Sequence, residues 1–152
     1  MKNAAVIICI IVLCFVAQNV LAHCEIPCGI YDDGMRIKLI REHIATIEKS
    51  MKMITDLTSV EEKNYNQIVR WINNKENHSN ELQHIVTQYF MTQRISPMSN
   101  DKPEDREEGL NKLALLHSLL VSAMKAKQSI DLKHIADMRA IVDKFEKLYF
   151  KD

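Results

Sequence analysis

The sequence predicts an all-α fold: an antiparallel four-helix bundle preceded by a short N-terminal segment dense in potential metal donors. Gly and Pro number only three each in 152 residues, too few for a turn-rich β architecture. After residue 32, apolar residues recur every three or four positions, the spacing of a buried helical stripe. The breaks between these stretches are short, which makes neighbouring helices antiparallel. The length suits one domain. With 20 Lys+Arg against 20 Asp+Glu, the chain carries no basic footprint for nucleic acid and no polybasic patch for a membrane.

The first element is a targeting signal over residues 1–22: Lys2 gives a positive start, Ala4 to Ala17 is apolar, and Val20-Leu21-Ala22 offers a cleavage site. The apolar run is shorter than the ~20 residues a spanning helix needs, although an uncleaved anchor is the competing reading. Residues 23–31 then form a separate N-terminal segment, and 32–152 the bundle.

Asp32 and Asp33 precede the first helix, whose stripe is Ile37, Ile40, Ile44, Ile47, Met51, Ile54 and Leu57. Thr58-Ser59 breaks it, and Ser59 with Glu62 has the form of a capping box for the second helix. That helix carries Val60, Ile68, Ile72, Leu82, Ile85, Val86, Tyr89 and Phe90 inward, and either runs unbroken or kinks at Asn77 to Asn80. Pro97 and Pro103 mark a linker from Ile95 to Glu104. A third helix, from about Asp105 to Lys127, has Leu110, Leu113, Leu116, Leu120 and Met124 on one face. The fourth, from near Ser129 to about Phe150, carries Leu132, Ile135, Met138, Val142, Phe145 and Tyr149.

Chemistry concentrates in His23-Cys24-Glu25-Ile26-Pro27-Cys28-Gly29-Ile30-Tyr31. In an exported chain, Cys24 and Cys28 could close a small disulfide loop. Cleavage before His23 offers another chemistry. The new amine and the Cys24 nitrogen are separated by two carbons, as are that nitrogen and the Cys24 sulfur, so each pair closes a five-membered ring on one metal ion. Cys28 can supply a fourth corner, with Pro27 stiffening the loop and Gly29 turning the chain away. The His23 ring is within reach as an axial ligand. Two nitrogens and two thiolates in a plane suit nickel(II) or copper(II) better than tetrahedral zinc.

The run resembles the N-terminal hook of nickel-containing superoxide dismutases, H-C-x-x-P-C-G-x-Y, at His23, Cys24, Pro27, Cys28, Gly29 and Tyr31. That resemblance implies a four-helix bundle behind the hook, one nickel ion per chain, superoxide as substrate and a homo-hexamer. It gives His23 the amine and axial imidazole, Cys24 the amide nitrogen and a thiolate, and Cys28 the second thiolate. Pro27 would shape the hook through a cis bond, Tyr31 would guard the open axial face, and Tyr89, followed by Phe90, fits the family's second tyrosine. Glu25 stands where the family commonly has Asp. The Glu and Arg that orient the axial imidazole have no clear counterparts. Lys38 or Leu39 and Asn74 or Lys75 fall near those places, with Glu42 and Lys75 as possible substitutes.

Two other functions compete: a nickel or copper carrier without turnover, and a helical binding protein closed by a disulfide. Glu81-x-x-His84 and Asp131-x-x-His134 also resemble the ligand spacing of ferritin-like di-iron bundles. His43, His78 and His117 fit ordinary helix positions. Arg36, Lys38 and Arg41 form a basic face or, beside the hook, an attraction for an anion. The signal implies export to the periplasm, the cell exterior or an organelle lumen, and no membrane attachment after its removal.

Overall fold

In the computed structural model, which describes residues 32–97 and 103–151, the chain forms four helical rods. These are α1 (Asp33–Ser59), α2 (Tyr65–His84) continuing into a π-helical segment (Ile85–Arg94), α3 (Pro103–Gln128) and α4 (Lys133–Tyr149). Side chains at matching heights fix the antiparallel order. Arg41 on α1 pairs with Asp143 and Glu146 on α4 at 2.8 and 2.5 Å. Further along α1, Glu48 meets Arg139 at 2.5 Å. The start of α3 and the end of the chain meet through Glu108 and Lys151.

α1 follows its sequence pattern. Asp32 caps it, its carboxylate accepting from the Gly34 and Met35 amides at 2.7 and 3.2 Å, which satisfies two of the free donors at a helix start. The expected stripe from Ile37 to Ile54 is buried. The expected capping box at Ser59 does not form: the Ser59 hydroxyl donates to the Asp56 carbonyl, keeping Ser59 in the last turn of α1. Asn64 caps α2 instead, accepting from the Gln67 amide at 3.1 Å. Val60 therefore lies in the connection and is exposed, and Ile72 also faces outward.

α2 runs unbroken through Asn77 to Asn80. Its departure from regularity comes later, where three bonds reach back five residues: the Ile95 amide to the Phe90 carbonyl, Thr92 Oγ1 to the Thr87 carbonyl and Gln93 Nε2 to the Gln88 carbonyl. Such wide turns are the mark of π geometry.

α3 buries part of the expected face and a strip beside it: Leu116 is in the core and Leu120 packs on it as expected, whereas Leu110 and Met124 are exposed and Leu119, Ala123 and Ala126 are buried. The small alanines let the helix approach its neighbours closely, so the buried line runs through Ala123 and Ala126 and past Met124. On α4, Ile135, Met138, Val142 and Phe145 are buried as expected, while Leu132 is exposed before the helix begins. At one end of the core, Phe90 and Phe145 meet edge-on at 5.1 Å, and Tyr149 joins them.

Candidate metal centre

The expected ligands His23, Cys24 and Cys28, the shaping residues Glu25, Pro27 and Gly29, and Tyr31 all lie outside the described residues. The structure describes what stands immediately behind them. Asp33, two residues after Tyr31, opens α1 and faces the ends of two other rods. Its Oδ1 accepts from the Tyr89 hydroxyl, and its Oδ2 from the Tyr149 hydroxyl at 2.8 Å. Arg94 Nε lies 2.8 Å from Oδ1, and Arg94 Nη2 donates to the Tyr89 hydroxyl at 2.9 Å. The guanidinium groups of Arg36 and Arg94 each stand 5.0 Å from the centre of the Tyr89 ring, within cation–π range.

The π segment makes this arrangement possible. At 3.6 residues per turn, side chains five apart point about 140° away from each other. The wider turn brings Arg94 round to Tyr89, five positions earlier.

Burial would raise the Asp33 carboxyl, but the hydrogen bonds from Tyr89 and Tyr149 and the charge of Arg94 outweigh it and hold the group below its ordinary value. Both phenols move the opposite way. Burial and the Asp33 carboxylate raise Tyr89, with Arg94 opposing, and the same two causes raise Tyr149 strongly. At neutral pH the cluster therefore holds a carboxylate and two protonated phenols.

A family model of nickel-containing superoxide dismutases matches residues 18–152. The chain belongs to this family. No curated protein and no solved structure matches it significantly. As a nickel-containing superoxide dismutase, the protein is an oxidoreductase with nickel as its cofactor, and its helical bundle is the fold of the family.

The donor types in the N-terminal run, two cysteine thiols and a histidine, fit that metal. Among the described residues of the dismutase, no three His, Cys, Asp or Glu side chains gather where they could hold a metal ion. The ferritin-like pairing accordingly does not converge. Asp131 is occupied as a cap, accepting from the Lys133 amide at 2.9 Å.

The residues considered for the imidazole-orienting pair take the following places in the bundle. Lys75 is buried, and its ammonium donates to the carbonyls of Ala126, Lys127 and Ser129 at 2.8, 2.5 and 3.1 Å. It clasps the C-terminal end of α3, about 20 Å along α2 from Tyr89. Asn74 donates to Ser50 at 2.9 Å, Leu39 packs on the core, and Lys38 and Glu42 are exposed. Arg41 is committed to Asp143 and Glu146, which leaves Arg36 as the member of the basic trio that reaches Tyr89. His43 and His78 bond to each other through Nδ1 atoms at 2.8 Å, and His117 is exposed.

Sequence reasoning named Tyr89 and missed its company. It assigned Tyr149 to the core stripe and gave Asp33 and Arg94 no role. Asp33 was open to notice, as a second acid directly after a cap and next to the hook, whereas Arg94 gave no signal without the π turn.

Proposed function

We propose that removal of residues 1–22 frees His23 as the N-terminus and that residues 23–31 then fold as the hook holding one nickel ion per chain. The observation that carries this is the H-C-x-x-P-C-G-x-Y run, in a chain matched to the nickel dismutases from residue 18 onward. His23 supplies its amine and imidazole, Cys24 its amide nitrogen and thiolate, and Cys28 its thiolate. Pro27 and Gly29 set the path of the hook, with Glu25 in place of the family's shorter acid.

When bound, nickel supplies one-electron redox between its +2 and +3 states. Two superoxide anions and two protons give one molecule of oxygen and one of hydrogen peroxide. Tyr31 would screen access to the metal so that small anions enter, and Tyr89 would support it from the bundle. Arg36, over the Tyr89 ring, adds positive potential that draws superoxide toward this end of the molecule. The hook chain works outside the cytosol, in the periplasm, the cell exterior or an organelle lumen. Its bundles associate as a homo-hexamer, as the family resemblance implies.

Intact mass and nickel content of the purified protein test the reading together. We expect a chain beginning at His23 with one nickel and dismutase activity proportional to nickel. A protein that keeps Ala22 and is nonetheless fully active would overturn the ligand set, because an acylated nitrogen cannot be the amine ligand. A nickel-loaded but inactive protein starting at His23 would establish the carrier reading.

A further inference from the structure

Away from the Asp33 end, two histidines from neighbouring helices meet across the α1–α2 seam. His43 lies about 15 Å along α1 from Asp33, and its Nδ1 stands 2.8 Å from the Nδ1 of His78 on α2. Both side chains are half-buried. Two turns further along α1 the same seam is crossed again, where Asn74 donates to Ser50 at 2.9 Å. Two packed helices therefore fix where both imidazoles stand. An imidazole nitrogen carries either a proton or a lone pair, and only one proton fits between two nitrogens this close. While the contact is made, one ring aims a lone pair into the gap. The ring centroids are 5.1 Å apart, so the rings point nearly straight at each other with that proton between them.

We propose that His43 and His78 form an open binding site for a divalent late transition-metal ion, of the nickel, copper and zinc class that imidazole favours, and that the ion clasps α1 to α2. With metal–nitrogen bonds of about 2.0–2.1 Å, two nitrogens on one ion lie about 2.9 Å apart at a right angle and about 3.3 Å apart at a tetrahedral one. The pair is thus within about half an ångström of ligand spacing. A turn of each ring about its Cβ–Cγ bond brings the two lone pairs onto one ion in place of the shared proton, each ring keeping its own proton on Nε2. The charge around the pair favours a cation, because Glu42, beside His43, and Glu81, on the next turn of α2 after His78, both act on the His43 ring. Glu81 shares a helical face with His78 and is the acid placed to join the ion. Among the described residues no third His, Cys, Asp or Glu already stands with the pair, so water takes the remaining positions. Such an ion binds in the micromolar range and exchanges, unlike one in a closed four-ligand site. None of this depends on how residues 23–31 fold.

Zinc(II), which has no redox chemistry of its own, is the probe. Tag-free protein, carrying whatever metal it is purified with, is titrated with zinc by calorimetry, and melting is followed with and without the ion. We expect one equivalent of zinc beyond the resident metal and a higher melting temperature when it is bound, since the ion joins two helices of the folded chain. His43→Gln and His78→Gln should each weaken zinc binding at least tenfold, because losing a ligand costs no less than losing a group that orients one. Glu81→Gln should weaken it less. A parent protein that takes up no zinc beyond its resident metal overturns the site without reliance on any variant. Uptake that survives in both histidine variants places the ion elsewhere and overturns it too. Uptake with no rise in melting temperature overturns the clasp.

Discussion

At one end of the bundle a carboxylate, Asp33, gathers Tyr89, Tyr149 and Arg94; at the other an ammonium, Lys75, gathers the carbonyls of Ala126, Lys127 and Ser129. The charges are opposite, but the larger difference lies in the partners. Lys75 is surrounded by backbone, at the end of a helix where carbonyls have no intrahelical donor and the dipole favours a cation. Glu76 stands off at 3.9 Å, and the three donors of the ammonium go to the three backbone carbonyls. Asp33 is surrounded by side chains that ionise. A charge fixed by peptide groups makes a joint, whereas a charge fixed by phenols and a guanidinium sits among groups whose own charge can change.

The comparison can be broken most sharply at the hook itself. Cys28→Ser should abolish dismutase activity and nickel redox while leaving helix content and melting temperature intact, measured by activity assay and circular dichroism. Surviving activity would move the chemistry away from the Asp33 end. Phe90→Ala comes next. The ring is fully buried and touches Tyr89, Phe145 and Tyr149 edge-on, so its loss should cost about 3–5 kcal/mol in denaturant unfolding and reduce activity as well.

Lys75→Met should be milder and one-sided. It strands three carbonyls and should cost about 1–3 kcal/mol of stability, with activity per nickel unchanged. Loss of activity at full nickel loading would show that the two ends communicate.

The smallest effect concerns pH. Burial and the neighbouring His78 push the His43 imidazole below its ordinary value, with Glu81 and Glu42 opposing. The unfolded chain therefore takes up the proton first. The contribution of this pair to stability is full above the ordinary value of 6.5 and declines as pH falls from there toward the lowered one. Melting temperatures between about pH 7.5 and 5.5 should fall in the parent, and His43→Gln should flatten that part of the decline.

Much of the molecule was legible because its signals are local. The α1 stripe follows 3.6-residue spacing from Ile37 to Ile54, and the run that pointed to the family is contained in nine consecutive residues, His23 to Tyr31. The Asp33 cluster was not legible, for two physical reasons. Its partners lie 56 and 116 residues away in the chain, so only the bundle's closure brings them together. Arg94 reaches Tyr89 through a π turn, and any pattern built on α-helical spacing points it elsewhere. Part of the buried face of α3, at Ala123 and Ala126 in place of Met124, was missed because leucines and methionines outweigh alanines in a hydropathy pattern, while close packing favours the smaller residue.

Asp33 and Tyr149 bond to each other at the beginning and end of the described helices, and that has a practical side. An affinity tag after Asp152 would be tethered close to Asp33, and on the proposed reading a run of histidines there would compete for the nickel. On the same reading a tag ahead of His23 would block the amine. The connection between α1 and α2, exposed from Val60 to Asn64 at the opposite end of the rods, is the better place for a label or a surface attachment.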